Sequence, residues 1–269
     1  MNAFSSTSRT IALITAIVGG FVLLGVGGSA ALATVSTIRA GEAGPALQTV
    51  AVDGVTELDV SSVASDFTLE FADVAEASLK VEGSGTRSWV LERDDDELVV
   101  KAKRVLWDFC FGWCGTHDQR VTLTLPKQLD GRLDAELKVS AGGFSAIGDF
   151  KELELTVSAG EMRFEGAASA VSTRVSAGEA TLLLDDAELV DFKVSAGKLV
   201  ARLSGAQPND VRVKVSAGNA DVTLPSGSYD VQHKASAGSF NNGLSTSSAS
   251  KHRVDVSISA GDVTLREGR

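Results

Sequence analysis

Seven copies of one triplet, Ser-Ala-Gly, stand at residues 140, 158, 176, 195, 216, 236 and 259, separated by 18, 18, 19, 21, 20 and 23 residues. A unit of about 20 residues is too short to bury an apolar face of its own, so units of this kind must stack on one another. The flanks of each triplet alternate with period two. Leu137/Val139, Leu153/Leu155/Val157 and Val211/Val213/Val215 precede it, and Met162/Phe164, Leu182/Leu184 and Val263/Leu265 follow, with charged or hydroxyl residues between. That spacing describes strands with one dry and one wet face. Ala141, Ala159, Ala177, Ala196, Ala217, Ala237 and Ala260 fall in phase with the apolar positions before them and are predicted to point inward at a bend. Gly142, Gly160, Gly178, Gly197, Gly218, Gly238 and Gly261 then supply, at each of seven equivalent corners, a backbone conformation or a close approach that other residues resist. The predicted fold is all-β: over 131–269, a parallel β-solenoid, or β-helix, of about 20-residue coils with Ser-Ala-Gly corners. An antiparallel sandwich is the rival, because strands joined by tight glycine turns also form hairpins. Repetition of one corner in one environment favours the solenoid.

The start of the chain has a different character. Residues 11–35 carry no charge, and at about 1.5 Å per helical residue such a run spans the roughly 30 Å hydrocarbon layer of a bilayer. The reading is a transmembrane signal anchor at 11–35, preceded by a short cytoplasmic segment at 1–10. A stalk follows at 36–50, and an irregular β region at 51–130 caps the solenoid. Cleavage near Ala31-Leu32-Ala33 is the alternative, disfavoured because the run exceeds the apolar length of a signal peptide. The predicted location is the cell membrane, single-pass, with the C-terminal domain outside the cytoplasm.

Acidic residues exceed basic ones by 35 to 25, which argues against a nucleic-acid partner, since such binding draws on a basic surface. No phosphate-binding loop, nucleophile elbow or recurrent carboxylate pair is present, so neither an enzyme nor a cofactor site is predicted. Cys110 and Cys114 are close enough to form a disulfide in an oxidising compartment. Around them Trp107, Phe109, Phe111 and Trp113 place four rings within seven residues. They read as a hydrophobic plug over the solenoid end, or as a surface for a partner. The partners in view are a surface or membrane protein, a cell-wall polymer, and another copy of the chain joined through solenoid ends.

Taken in order, the apolar N-terminal run, VDGVTELDVSSVASDFTLE at 52–70, VTLTLPKQ at 121–128 and the repeated VSAG corners resemble the bacterial adhesin-type family of β-strand-repeat domains of unknown function. The resemblance implies a repetitive β domain at the cell surface and supplies no catalytic residues. The function expected is a membrane-anchored, extracytoplasmic structural or recognition module of the bacterial envelope. An envelope-stress accessory acting through a membrane partner, and a polysaccharide-active β-helix enzyme, are the alternatives.

Overall fold

Alternating valine, leucine and charged residues give strands that cannot stand alone, and here they find partners about 20 residues away in the chain. The computed structural model describes residues 46–83, 88–103 and 119–268. Two parallel ladders run through it. Strands leading into the corners form the first, in the spatial order β6 (Glu97–Ala102), β2 (Glu57–Ser62), β8 (Asp134–Val139), β10 (Phe150–Val157), β11 (Glu161–Val175), β13 (Leu189–Val194), β15 (Asp210–Leu224), β19 (Arg253–Glu267) and β16 (Ser228–Ala235). Strands leaving the corners form the second: β7 (Arg120–Pro126), β3 (Ser65–Ala72), β9 (Gly142–Ile147), β11, β12 (Glu179–Asp185), β14 (Lys198–Ser204), β15, β19 and β17 (Ser239–Gly243). β11, β15 and β19 are long enough to serve both ladders, and the two-residue β18 (Ser245–Thr246) pairs in parallel with the start of β16.

Inward rows fall into register. Leu98, Leu58, Ala135, Leu153, Val171, Val190, Val211 and Val254 line the first ladder, and Val121, Phe67, Phe144, Met162, Ala180, Leu199, Ala220 and Val263 the second; all are buried in one continuous cluster. Burying the valine, leucine, phenylalanine and methionine side chains of these rows contributes about 1.5–3 kcal/mol each, which makes this the main force holding the strands together.

The order of the strands corrects the predicted winding. A solenoid wound in sequence order would lay each coil on the one before it. Instead β2 and β3 lie between the later pairs β6/β7 and β8/β9, and β19 lies between β15 and the earlier pair β16/β17. At one end three antiparallel strands fold over to give a barrel-like closure: β5 (Trp89–Asp94) on β6, β4 (Ala77–Glu82) on β7, and β1 (Ala46–Val50) on β4. Gln48 bridges the remaining gap, its Nε2 donating to Trp89 O at 2.8 Å and its Oε1 accepting from Leu91 N at 3.1 Å. The side-chain amide thereby replaces a backbone amide between β1 and β5.

A second correction concerns the helix expected ahead of the β domain. Among the described residues no helix is long and apolar enough to cross a membrane, and the helical element at Lys127–Leu129 is a three-residue 3-10 turn. Residues 11–35, on which the transmembrane expectation falls, lie outside the described residues. The single-pass anchor and the extracytoplasmic placement that depended on it therefore find no support in the structure and play no part in the function proposed below.

Candidate binding surface along the corners

The corner differs from its predicted form in which small residue faces inward. Val157 is fully buried, Ser158 and Ala159 are exposed, and Gly160 is buried. Ala177, Ala196, Ala217, Ala237 and Ala260 are likewise exposed, and Ala141 is half-buried. Two successive outward residues carry the chain round the bend, so the alternation shifts phase. Glycine, not alanine, then takes the inward place: Gly218 is buried like Gly160, and Gly178 and Gly197 are half-buried. The ladder continues through the turn. Ser158 N donates to Val139 O at 2.8 Å and Ala159 N to Ser140 O at 3.2 Å, and Ser176, Ala177, Ser195 and Ala196 repeat the pattern one and two rungs on.

Close approach explains the glycine. A Cβ on Gly160, Gly178, Gly197 or Gly218 would run into the carbonyl oxygen of the corner glycine one rung before it. It would also lie 2.6–2.7 Å from the Cγ1 of a valine in that same earlier rung. Backbone stacked this tightly leaves a shallow trough on the outside, with the alanine methyls along its floor.

The expectation of seven equivalent corners fails at both ends of the series. Gly142 and Gly238 are exposed, so neither fills the inward place that Gly160 and Gly218 fill, and Gly261 is half-buried like Gly178 and Gly197. Gly238 and Gly261 instead turn at φ of 110° and 111°, a backbone region that side chains resist, and here the residue is required for its conformation as well as its size. Their stacking also departs from chain order. A Cβ on Gly261 would run into Gly218 O, and one on Gly238 into Gly261 O, so the corner at 261 sits between those at 218 and 238. The cause is the insertion of β19 between β15 and β16, which carries its corner with it.

This trough is an open groove of about 830 Å³ that crosses five successive corners, from Gly142 to Asn219. The residue after each glycine, with Asp66 after Ser65 in the equivalent place, forms one wall: Asp66, Gly143, Glu161, Glu179, Lys198 and Asn219 share a single register row. Lys198 Nζ lies 2.8 Å from Glu179 Oε1, an exposed pair of small energetic worth that leaves both groups able to exchange partners. On the other side stand the exposed serines 158, 176, 195 and 216. Beyond them runs a row that sequence reasoning missed. Lys101, Lys138, Arg174, Lys193, Lys214 and Lys234 occupy equivalent outward positions along the first ladder, interrupted by Ser61, Thr156 and Ser257. The signal was present in the chain, since Lys or Arg stands two residues before the serine in five of the seven triplets. A parallel row of acids balances part of it: Lys138 Nζ meets Glu136 Oε1 at 2.8 Å and Asp59 Oδ2 at 3.3 Å, and Arg174 meets Glu154 at 2.5 Å.

Charge is least balanced where β6 and β2 meet. Glu97, Glu57 and Asp134 share one row there, with Asp59 and Glu136 in a neighbouring one. Burial raises the Glu97 carboxyl above its ordinary pKa, and Asp59, Glu57, Asp94 and Glu136 push it further the same way. Lys138 loses some charge stability to burial, but its hydrogen bond to Glu136 and the field of Asp59 outweigh that and raise its pKa. A carboxyl whose folded pKa is raised binds its proton more tightly in the folded chain, so it costs stability once ionised. Glu97→Gln is accordingly expected to stabilise the protein at neutral pH by up to about 0.5 kcal/mol. The gain should disappear as pH falls below the ordinary carboxylate range. Urea midpoints of both proteins across that range check this, and a gain independent of pH would contradict it.

Most side chains lining the trough lie open to solvent. Cys110, Cys114, Trp107, Phe109, Phe111 and Trp113 lie outside the described residues, in the segment joining Lys103, just after β6, to Gln119 before β7.

No family model matches the chain, and no curated protein does. Solved structures of similar extent are found. One is a candidate cell adhesion protein of Clostridium sporogenes, 15% identical, with TM-score 0.40, spanning 84% of this chain and 99% of that one. Another is a candidate adhesin of Bacteroides fragilis, 10% identical, with TM-score 0.43, spanning 82% and 97%. A candidate adhesin of Parabacteroides distasonis is 15% identical, with TM-score 0.39, spanning 85% and 98%. Similarity at this level carries no inference about what the present chain binds or does.

Proposed function

We propose that the protein is a non-catalytic recognition module whose corner trough holds an extended, hydroxyl-rich polymer of the cell-wall glycan class. The observation that carries this reading is the trough itself: an open groove crossing five successive rungs, lined by corner alanines and glycines and a Glu/Lys/Asn row, with an exposed serine preceding each alanine in the chain at 158, 176 and 195. Neighbouring strands in a ladder lie about 4.8 Å apart, so hydrogen-bonding groups recur along the groove at an even spacing that a linear polymer can follow. Each contact is weak and exposed, and affinity comes from their number. The balanced charge rows on the first ladder suit a polymer bearing both hydroxyl and charged groups.

Filling the trough tests the reading without disturbing the core, because Ala177 and Ala196 are exposed. The Ala177→Leu, Ala196→Leu double variant should keep the melting temperature within about 2 °C, as surface changes do. It should lose at least about tenfold in affinity for purified cell-wall glycan, measured by co-sedimentation and by calorimetry on soluble fragments. Glycan binding that persists in the double variant, or that the parent protein lacks, overturns the proposal. Release of reducing ends from the glycan by the parent protein overturns the non-catalytic part.

A further inference from the structure

Charge along the first ladder changes character from rung to rung. On β8, β10, β11 and β13 each cation of the outward basic row has an acid of the row beside it: Glu136 meets Lys138, Glu154 meets Arg174 and Asp191 meets Lys193. β15 and β16 break this pattern. Arg212 and Gln232 take the acidic places there, beside Lys214 and Lys234. Asp255 of β19 is the acid left between them, and Arg212 is itself held by Asp210 at 3.1 Å. Lys214 and Lys234 are exposed, and among the described residues neither is in an ion pair.

Lys193, Lys214, Ser257 and Lys234 occupy four successive rungs in one row. Neighbouring strands lie about 4.8 Å apart, so Lys193 and Lys214 stand side by side and Lys234 lies about 10 Å beyond Lys214, with the exposed Ser257 between. Like charges on adjacent strands cost the fold stability, a cost that an anion bound between them removes. The row also borders the trough. Lys193 and Lys214 precede by two places the exposed corner serines 195 and 216, on the last two rungs that the trough crosses. Across the corner the wall row carries Asn219, Asp262 and Ser239, with Ser239 Oγ bonded to Asp262 Oδ1. An anionic group is therefore drawn to the lysine side of the corner and repelled from the other.

We propose that this row is an anion subsite and that the polymer held by the trough is acidic, its repeats joined by phosphodiester groups. The proposal deepens the function proposed above and rests on the trough being the polymer-binding groove. Tetrahedral phosphorus sends the two free oxygens of a phosphodiester in different directions, so one group accepts from ammonium groups on two adjacent rungs. A lysine ammonium is a compact point charge with three rotatable donors and suits such divergent oxygens. A planar carboxylate is matched instead by the fork of an arginine, and this row holds three lysines and a serine.

Paired binding measurements on the full chain test the subsite. In about 0.05 M salt poly(glycerol phosphate) should bind at least about fivefold more tightly than cell-wall glycan freed of phosphate, and about 0.5 M salt should erase the difference. The Lys214→Gln, Lys234→Gln variant should lose about fivefold or more in affinity for poly(glycerol phosphate) and stay within about twofold for the phosphate-free glycan. Lys80→Gln, Lys151→Gln makes the same change in net charge away from the row and should alter neither affinity. Melting temperatures of both variants should stay within about 2 °C of the parent, since all four lysines are exposed. Equal affinity for the two polymers, no effect of exchanging Lys214 and Lys234, or an equal loss on exchanging Lys80 and Lys151 would each overturn the inference and leave the trough reading standing. So would polygalacturonate or phosphatidylglycerol vesicles binding as tightly as poly(glycerol phosphate), which assigns the row to carboxylates or to a lipid surface. A parent protein that binds neither polymer overturns both.

Discussion

Gly178→Ala should destabilise the protein by more than about 3 kcal/mol, while Ala177→Ser, one residue earlier, should change stability by less than about 0.5 kcal/mol. The pair looks conservative in the opposite sense. Glycine to alanine adds one methyl, and in a loop with ordinary backbone angles it normally stabilises by reducing the freedom of the unfolded chain. At Gly178 the added carbon would meet Gly160 O and approach Val157 Cγ1 to 2.7 Å. Both belong to the rung before, which is itself stacked on another, so neither can retreat without moving the ladder. The backbone oxygen is the harder obstacle, because a displaced side chain can change rotamer and a displaced carbonyl breaks the strand. Ala177 faces water, and serine there resembles the residue before it. Chemical denaturation of the two variants, with equal m-values to confirm a common unfolded state, gives the comparison directly. Equal destabilisation by both, or a neutral Gly178→Ala, would mean that the corner is not packed as described.

This corner shows what could be read in the chain and what could not. Period-two alternation identified the strands and their dry faces, because that pattern depends only on the geometry of a single strand. Leu153, Leu155 and Val157 are buried just as their spacing demands. Which of Ala159 and Gly160 faces inward depends on how many residues the bend consumes, and Ser-Ala-Gly is compatible with either count until the bend is seen. The same triplet also hides the difference between Gly160, which is buried, and Gly238, which is exposed, because that difference is set by the neighbouring rungs and not by the triplet. The row of basic residues two places before the serines is written in the chain as well, but alternation marks only the dry face and does not distinguish a shared row on the wet face from scattered solvent-facing charge. The positions of β2/β3 and β19 could not be read at all. Parallel pairing fixes which residues share a row but not which copy lies beside which, and rungs with similar inward valines fit several neighbours. Sequence order was the default there, and the two ends depart from it.

Those departures lead to the second large effect. Lys214 and Ser257 are register partners on β15 and β19, and Ser257 and Lys234 are partners on β19 and β16. In a stack wound in sequence order Lys214 would adjoin Lys234, with Ser257 two rungs away. Adjacent strands lie about 4.8 Å apart and alternate strands about twice that. A disulfide spans Cα separations of about 4.4–6.8 Å, so it reports adjacency sharply. The Lys214→Cys, Ser257→Cys variant is therefore expected to oxidise readily and, by closing a loop of roughly 40 residues, to stabilise the chain by about 3–4 kcal/mol over its reduced form. Both side chains lie on the wet face, so no core packing is disturbed. The Lys214→Cys, Lys234→Cys variant, with β19 between its two thiols, should remain reduced under the same conditions. Peptide mapping identifies the bonded pair independently of Cys110 and Cys114, and thermal melts with and without reductant give the stabilisation. A bond from 214 to 234, with none from 214 to 257, would restore sequence order to the stack. It would also make β19, and not β16 and β17, the last rung of the ladders.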